Sequence, residues 1–138
     1  MEYSLQKAIM AKYNSAEGAD LRALVTGGMY DTMSPNDSIF NYITFEITGS
    51  DLNQDFCNNF YDVGVTFTIY GDANNKSASG VLLIGREFLL LYQDILLNPM
   101  EDGWQMIRNN TVSSSKDIDG QKGWNLQYDF EFLLEKVR

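Results

Sequence analysis

The stretch that decides the fold is residues 124–134, WNLQYDFEFLL, near the end of the 138-residue chain. Large apolar side chains stand at its even-numbered positions, which are Trp124, Leu126, Tyr128, Phe130, Phe132 and Leu134. The positions between them are mostly polar, including Asp129 and Glu131. Successive side chains of a strand point to opposite faces, so this period of two predicts a β-strand with one buried and one wet face. Such a strand is typical of an antiparallel sheet.

Two earlier segments show the same alternation. Residues 42–48 place Ile43, Phe45 and Ile47 on one side, and residues 61–70 alternate in the same way. The polar residues 49–59 between them predict a loop. Both segments therefore are expected to join the same sheet, with their apolar sides toward a common core.

The last third of the chain predicts a long hairpin. Residues 104–112 form its first arm and residues 124–134 its second, with residues 113–123 as a loop between them. Asp119-Gly120 is the strongest turn signal there, because glycine accepts a positive φ without a Cβ clash. The register of the first arm stays open, since Met106 and Ile107 are both suited to a core.

Helical spacing appears in three places. Ser4 is a plausible N-cap for a first helix, and residues 21–25 predict a short second helical turn. A long apolar helix of about 20 residues is expected to begin near Val81 and to end near Asn98-Pro99. The predicted fold class is α+β. It is a single domain spanning residues 1–138, with an antiparallel four-stranded sheet, one long helix packed across a face and a short N-terminal helix.

The long helix carries an unusual row of leucines. Leu83, Leu90 and Leu97 recur at heptad spacing between two polar rows, on the side away from the stripe suited to the sheet. Burying each leucine contributes about 1.5–3 kcal/mol, so the row predicts a subunit interface. The alternative is that a loop or the first helix of the same chain covers it.

Composition excludes several function classes. The chain has 19 Asp plus Glu against 10 Lys plus Arg, a net charge of −9, no histidine and the single cysteine Cys57. Histidine-dependent nucleophiles, His or Cys zinc sites and internal disulfides are thereby excluded. So acidic a chain is repelled by nucleic-acid phosphates and by anionic lipid.

The remaining candidates for chemistry are weak. Asp117-Ile118-Asp119-Gly120 is similar to the start of a calcium loop but lacks the later oxygen ligands, so a solvated turn is favoured. Glu131, Glu135 and Lys136 fit a carboxylate nuclease pattern poorly, because acids on the wet side of a sheet explain them more simply. No catalytic, cofactor-binding or metal-binding residue is assigned, and no enzymatic activity is expected. The start of the chain has no secretory signal pattern, and Arg86, Glu87 and Asp94 interrupt the most apolar stretch, so we expect no membrane span.

The order of elements and several local patterns resemble a known family. They are the opening Leu5-Gln6-Lys7-Ala8-Ile9, then Leu21-Arg22-Ala23-Leu24-Val25 with Gly27-Gly28-Met29-Tyr30, then Asn41-Tyr42-Ile43-Thr44-Phe45, Phe67-Thr68-Ile69-Tyr70, the long apolar helix and the closing hairpin. Together they resemble the tail completion, or head-to-tail joining (tail terminator-like), proteins of long-tailed bacteriophages. One departure is Asn41, which stands where the family often has proline before the first strand.

The resemblance implies a structural virion protein without a cofactor. Such a subunit would assemble with itself into a hexameric ring at the head-proximal end of the tail, between the tail tube protein and the head connector protein, and DNA would pass through without specific binding. It would lie in the host cytoplasm before assembly. In this interpretation Asp51, Asp55, Asp117 and Asp119 lie in loops that line the channel or contact partners, because an acidic bore repels DNA.

A second interpretation also fits the charge. The chain would be a small acidic inhibitor or immunity protein that binds a basic partner such as a nuclease, since opposite fields speed association. A monomeric inhibitor has no need of the leucine row, which favours the ring.

Overall fold

The computed structural model describes residues 1–32, 41–52, 60–71, 79–119 and 123–137. The elements are α1 (Glu2–Tyr13), a 3-10 turn (Ala16–Gly18), α2 (Ala19–Leu24), β1 (Met29–Asp31), β2 (Tyr42–Leu52), β3 (Phe60–Gly71), α3 (Ser79–Tyr92), β4 (Trp104–Asp119) and β5 (Gly123–Lys136).

The sheet is mixed and five-stranded, in the order β1-β2-β3-β5-β4. The predicted antiparallel four-stranded sheet is therefore wrong. The difference is β1, which pairs in parallel with β2 while the other neighbours are antiparallel. The Ile43 amide donates to the Gly28 carbonyl and the Thr32 amide to the Phe45 carbonyl. A strand of three residues is too short to show an alternating pattern, so the sequence gives no sign of it.

The helices cover one face of the sheet and form a single core with it. The apolar sides predicted for β3 and β5 are confirmed, because Val63, Val65, Phe67 and Ile69 are buried, as are the even-numbered residues from Leu126 to Leu134. Phe67 lies at the centre. Its ring centroid is 4.9 Å from that of Phe88 on α3 and 5.3 Å from that of Phe130 on β5.

The first helix begins earlier than predicted. Ser4 is not its N-cap, because α1 starts at Glu2 and Ser4 is a buried residue within it. The Ser4 hydroxyl donates to Asp102 Oδ2 at 3.3 Å, which ties α1 to the approach to β4. The short second helix is confirmed as α2, residues 19–24.

The long helix is shorter than predicted. It has 14 residues and ends at Tyr92, with Asp94 in the left-handed region at φ 59°. Asn109 Nδ2 donates to the carbonyls of Tyr92 at 2.7 Å and Ile95 at 2.8 Å. A buried side chain from β4 thus satisfies carbonyls where the helix ends, and helical spacing beyond that point does not reveal the stop.

The closing hairpin is longer than predicted. Its first strand, β4, continues through the Ser-rich segment to Asp119, and β2 continues to Leu52, so both predicted loops are shorter than expected. Register shifts at Ile107 and Val112 settle the open register, with Met106 buried and Ile107 37% exposed. The predicted turn is described only in part, since Gly120 lies outside the described residues.

Candidate functional site

Exposed leucines lie on the outer face of α3, opposite the core. Leu90 is 71% exposed, Leu82 46% and Leu83 41%, and we call these three the leucine patch. The stripe predicted to face the sheet is buried on the other side, including Ile84 and Phe88. The position predicted for Leu83 and Leu90 is thus confirmed, while their role as a subunit interface stays a prediction.

Leu97 does not belong to the leucine patch. It follows the end of α3 and is only 5% exposed, so the row predicted on one helix face is wrong at this residue. Its amide contacts Met106 Sδ at 3.4 Å. The neighbouring Asn98 side chain donates to the Met106 carbonyl at 3.0 Å and accepts from the Met106 amide at 2.9 Å. This segment packs against the start of β4, which removes Leu97 from any outer surface.

The face of the sheet away from the helices carries acids and hydroxyl groups. We call it the acidic face and define it by Glu46, Asp62, Thr66, Asp129 and Glu131. Their burial alternates with that of the core residues on the same strands. Thr66 Oγ1 donates to Asp129 Oδ1 at 2.7 Å across the β3–β5 pair. Asp129 and Glu131 are therefore on the wet side of the sheet, as predicted.

Two glycines make a hollow in the acidic face. Gly49 and Gly64 lie directly opposite each other in the β2–β3 pair. A Cβ on Gly64 would lie 2.7 Å from Thr48 Oγ1, so a larger residue at this position would require the Thr48 side chain to move. The resulting depression of about 340 Å³ is lined by residues that include Asp62, Asp129 and Glu131. Three carboxylates therefore line this depression.

Arg108 brings a positive charge near these acids. Arg108 Nη2 on β4 lies 4.0 Å from Asp62 Oδ1, at the limit of an ion pair, and the Arg108 side chain is 49% exposed. At that distance and exposure the pair contributes little stability. The acidic face keeps a negative field.

The acids predicted to lie in loops occupy different places. Asp51, Asp117 and Asp119 belong to strands, where their register partners are Asp62, Asn125 and Gly123. Asp55 lies outside the described residues. The prediction of loops was wrong for three of the four, and their role as channel or partner contacts stays a prediction. Glu46 and Asp62, which the sequence does not single out, belong to the acidic face.

The weak nuclease-like pattern consists of Glu131, Glu135 and Lys136. Lys136 Nζ donates to the Asp102 carbonyl at 2.6 Å and lies 5.0 Å from the centroid of the Trp104 ring. Lys136 thus contacts residues at the start of β4. Within the described residues, no group of three acidic or cysteine side chains is placed to hold a metal ion. None of the described helices is long and apolar enough to cross a membrane.

Comparison with known proteins shows a structural similarity and no sequence match. No protein-family model matches the sequence, and no curated protein matches it. The structure is similar to a chain in the virion of a native gene transfer agent (GTA) particle, with a TM-score of 0.72 and 13% identity. The match covers 95% of this chain and 94% of that chain. At this identity the likeness establishes a shared fold, and the chain has the fold of a subunit found in a virion.

Proposed function

We propose that this chain is a structural virion protein that forms a hexameric ring at the head-proximal end of a phage tail. The ring joins the tail tube protein to the head connector protein and leaves a channel for DNA. The observation that carries the proposal is the shared fold with a virion chain over almost the whole length of both chains. A chain that shares its fold with a virion chain over 95% of its own length and 94% of that chain is best explained as a building unit of a similar kind.

The acidic face supports a position along the channel. Each copy has a net charge of −9, and Glu46, Asp62, Asp129 and Glu131 concentrate acids on one side of the sheet. A channel lined by acids repels the phosphates of passing DNA and prevents it from binding to the wall. The helices would then face away from the DNA.

The leucine patch supports contact with another protein. Leu90 is 71% exposed, and Leu83 lies on the same helix face. Covering large apolar side chains releases about 1.5–3 kcal/mol for each one, and this drives association. We assign Leu83 and Leu90 to the contact between neighbouring subunits. Leu97 has no part in it, because it is buried within its own chain.

The proposed role needs no cofactor and no chemical step. The protein would fold in the host cytoplasm and then become part of the virion tail. The acidic face also fits the alternative role of an acidic inhibitor, because it would complement a basic partner. That alternative requires a monomer that binds such a partner and does not bind tails.

Complementation in vitro tests the proposal. Tails made without this protein are mixed with filled heads, with and without the purified chain, and joined particles are counted by electron microscopy and by infectivity. The expected result is that joining requires the chain and that the joined particles contain it. If joining is equal without the chain, the proposed function is wrong. Tight binding to a basic nuclease by a persistent monomer would favour the inhibitor.

A further inference from the structure

β4 is a long edge of the sheet. It spans 16 residues, and no described strand pairs with its outer side. The amide and carbonyl groups along such an edge are a template on which the strand of another copy can pair. The strand at the opposite edge, β1, has only three residues. β4 is therefore the edge at which the free chain most needs protection from pairing.

The bonds of Met106 show which backbone groups of β4 point outward. Its amide and carbonyl both bond to the Asn98 side chain and not to its register partner Leu134 on β5. In an antiparallel pair this direction alternates, so each β4 residue that pairs with an even-numbered residue of β5 directs these groups away from β5. The Trp104 amide agrees with this alternation, because it donates to the Glu101 carbonyl at 3.2 Å. The other outward positions are Asn109, Thr111, Ser114 and Lys116.

Asn98 occupies the outward groups of Met106. Its Nδ2 donates to the Met106 carbonyl at 3.0 Å, and its Oδ1 accepts from the Met106 amide at 2.9 Å. A carboxamide has a donor and an acceptor like those of a peptide group. These two bonds are therefore the ones that a residue of a partner strand would make with Met106. Asn98 takes the place of that residue.

Leu97 and Pro99 keep this mimic of a strand from becoming an edge itself. Pro99 has no amide, so it cannot donate to another strand. The Leu97 amide contacts Met106 Sδ at 3.4 Å, and the Leu97 side chain is buried. We call Leu97, Asn98 and Pro99 the edge guard. It covers Met106 without offering the amides on either side of Asn98 to another strand.

Other features interrupt the rest of β4. Its register with β5 shifts at Ile107 and Val112, which divides the strand into residues 104–106, 108–111 and 113–119. β-Bulges disrupt the ladder locally and increase the twist, and they are a common protection of edge strands. Charged residues are a second protection. The last two pieces of β4 contain Arg108, Lys116, Asp117 and Asp119.

The first piece of β4 lacks this protection by charge. Residues 104–106 carry no charge, and Ile107 beside them is 37% exposed. An uncharged and largely apolar stretch is the part of an edge that is most prone to pairing. The edge guard covers this piece, because Asn98 bonds to Met106 within it.

We propose that the edge guard prevents β4 of one copy from pairing antiparallel with β4 of a second copy. Two identical edges can pair around a two-fold axis, because a strand in antiparallel contact with its own copy is self-complementary. With Asn98 in place, the outward groups that such a contact needs at Met106 are already bonded. The inference concerns the free chain and does not depend on the proposed ring.

Asn98→Ala tests the edge guard, because it removes both bonds to Met106. The purified chain alone is examined by sedimentation velocity at one concentration. We expect the associated fraction of the folded variant to be at least about fivefold that of wild type. Asn110→Ala, which truncates an exposed asparagine of β4, is the matched control and should stay within about twofold of wild type. Circular dichroism and thermal unfolding report whether each variant is folded.

A second substitution separates edge pairing from loss of folding. Gln105 is exposed beside Met106, and Gln105→Lys would place like charges near each other when two β4 edges pair. Combined with Asn98→Ala, it should return association to within about twofold of wild type. Association caused by unfolding would not be reversed in this way. If the double variant associates as strongly as Asn98→Ala, the proposal is wrong.

Hydrogen exchange of the wild-type protein gives a readout that needs no variant. The amides of Met106 and Ser114 both point away from β5, but of the two only the Met106 amide has a described partner there. We expect the Met106 amide to exchange at least about tenfold more slowly than the Ser114 amide. Equal exchange, or a folded Asn98→Ala variant that sediments like wild type, would overturn the edge guard. These measurements use no tails, so failure of this inference is distinguishable from failure of the proposed function.

Discussion

The two faces of the sheet use the same strands for opposite purposes. On β3, Phe67 has no exposed surface and packs against four aromatic rings. Its neighbour Thr66 bonds to Asp129 on the acidic face. The helix-covered face is specified by volume and shape, because packing there is close to crystalline. The acidic face is specified by charge. Substitutions on one face should therefore change folding, and substitutions on the other should change assembly.

Phe67→Ala is expected to have the largest effect. Removing a fully buried phenylalanine at the centre of the aromatic cluster costs about 3–5 kcal/mol, which is a large part of the stability of an ordinary domain. The measurement is the free energy of unfolding in urea. The control is Thr68→Ala on the acidic face, expected within about 0.5 kcal/mol of wild type. A loss below about 1 kcal/mol for Phe67→Ala would contradict the division between the faces.

Asn109→Ala tests the role of a buried polar side chain on the core face. The substitution removes two hydrogen bonds to the carbonyls of Tyr92 and Ile95, and leaves those groups without this donor. We expect a loss of about 1–3 kcal/mol in urea unfolding, with faster hydrogen exchange at the end of α3. Asn110→Ala is the matched control, because Asn110 is exposed. Equal effects of the two substitutions would show that Asn109 does not fix the end of the helix.

The buried tyrosines make the core face sensitive to alkaline pH. Tyr92 donates to the Ile9 carbonyl at 2.8 Å, and burial raises the pKa of its phenol far above the ordinary value. Burial also raises the pKa of Tyr13 and of Tyr128. Because the folded pKa values are the higher ones, their contribution to stability is complete below about pH 10 and is lost as the pH rises above it.

Tyr92→Phe removes the phenol hydroxyl and keeps the buried ring, so it tests the hydrogen bond and the pH dependence apart from the packing. Loss of the hydrogen bond should cost about 1 kcal/mol at pH 7, and the decline in stability between about pH 9 and pH 11 should become shallower than in wild type. The measurement is the free energy of unfolding across that range. An unchanged slope would mean that Tyr92 does not couple folding to pH.

Leu90→Asp should leave folding nearly unchanged. Leu90 is 71% exposed, so we expect stability within about 0.5 kcal/mol of wild type. Ring formation should be lost, because a carboxylate would be buried at the contact. Gln93→Asp, which adds the same charge just beyond the helix, is the control. A soluble but dissociated variant supports the subunit contact, whereas collapse of the monomer would show that the chain itself covers this residue.

Glu131→Lys should have the smallest effect on folding and a distinct effect on DNA. The side chain is exposed on the acidic face, so stability should change by less than about 0.5 kcal/mol. Assembled rings of the variant should retain duplex DNA in a salt-dependent way that wild-type rings do not. Glu131→Gln separates loss of the negative charge from gain of a positive one. If DNA retention does not change, the acidic face does not line the channel.

The sequence predicts most of the core face and little of what ends each element. The period of two in β3 and β5 identifies the buried residues, because each strand has one wet face. The alternation cannot identify β1, because a strand of three residues is too short to show a period of two. The end of α3 cannot be predicted from local spacing either, because the side chain that bonds to the Tyr92 carbonyl there, Asn109, lies 17 residues further along the chain. Leu97 continues the helical spacing and is nevertheless buried after the helix ends.

The candidate surfaces were predicted in part for the same reason. Leu83 and Leu90 were placed correctly because a helix of known period fixes its outer face. The segments that hold Asp51, Asp117 and Asp119 are rich in polar residues, and this composition predicts loops. They belong to strands because their backbones pair with β3 and β5, which the local composition of these segments does not reveal.

The most direct test of the central claim, that this chain builds a ring on a phage tail, is a cryo-electron microscopy reconstruction of purified tail tubes incubated with the protein. The account predicts a ring of six copies at one end of the tube, with the acidic face toward the channel and α3 outside. Tube ends without added density, or a ring in which the helices face the channel, would contradict it.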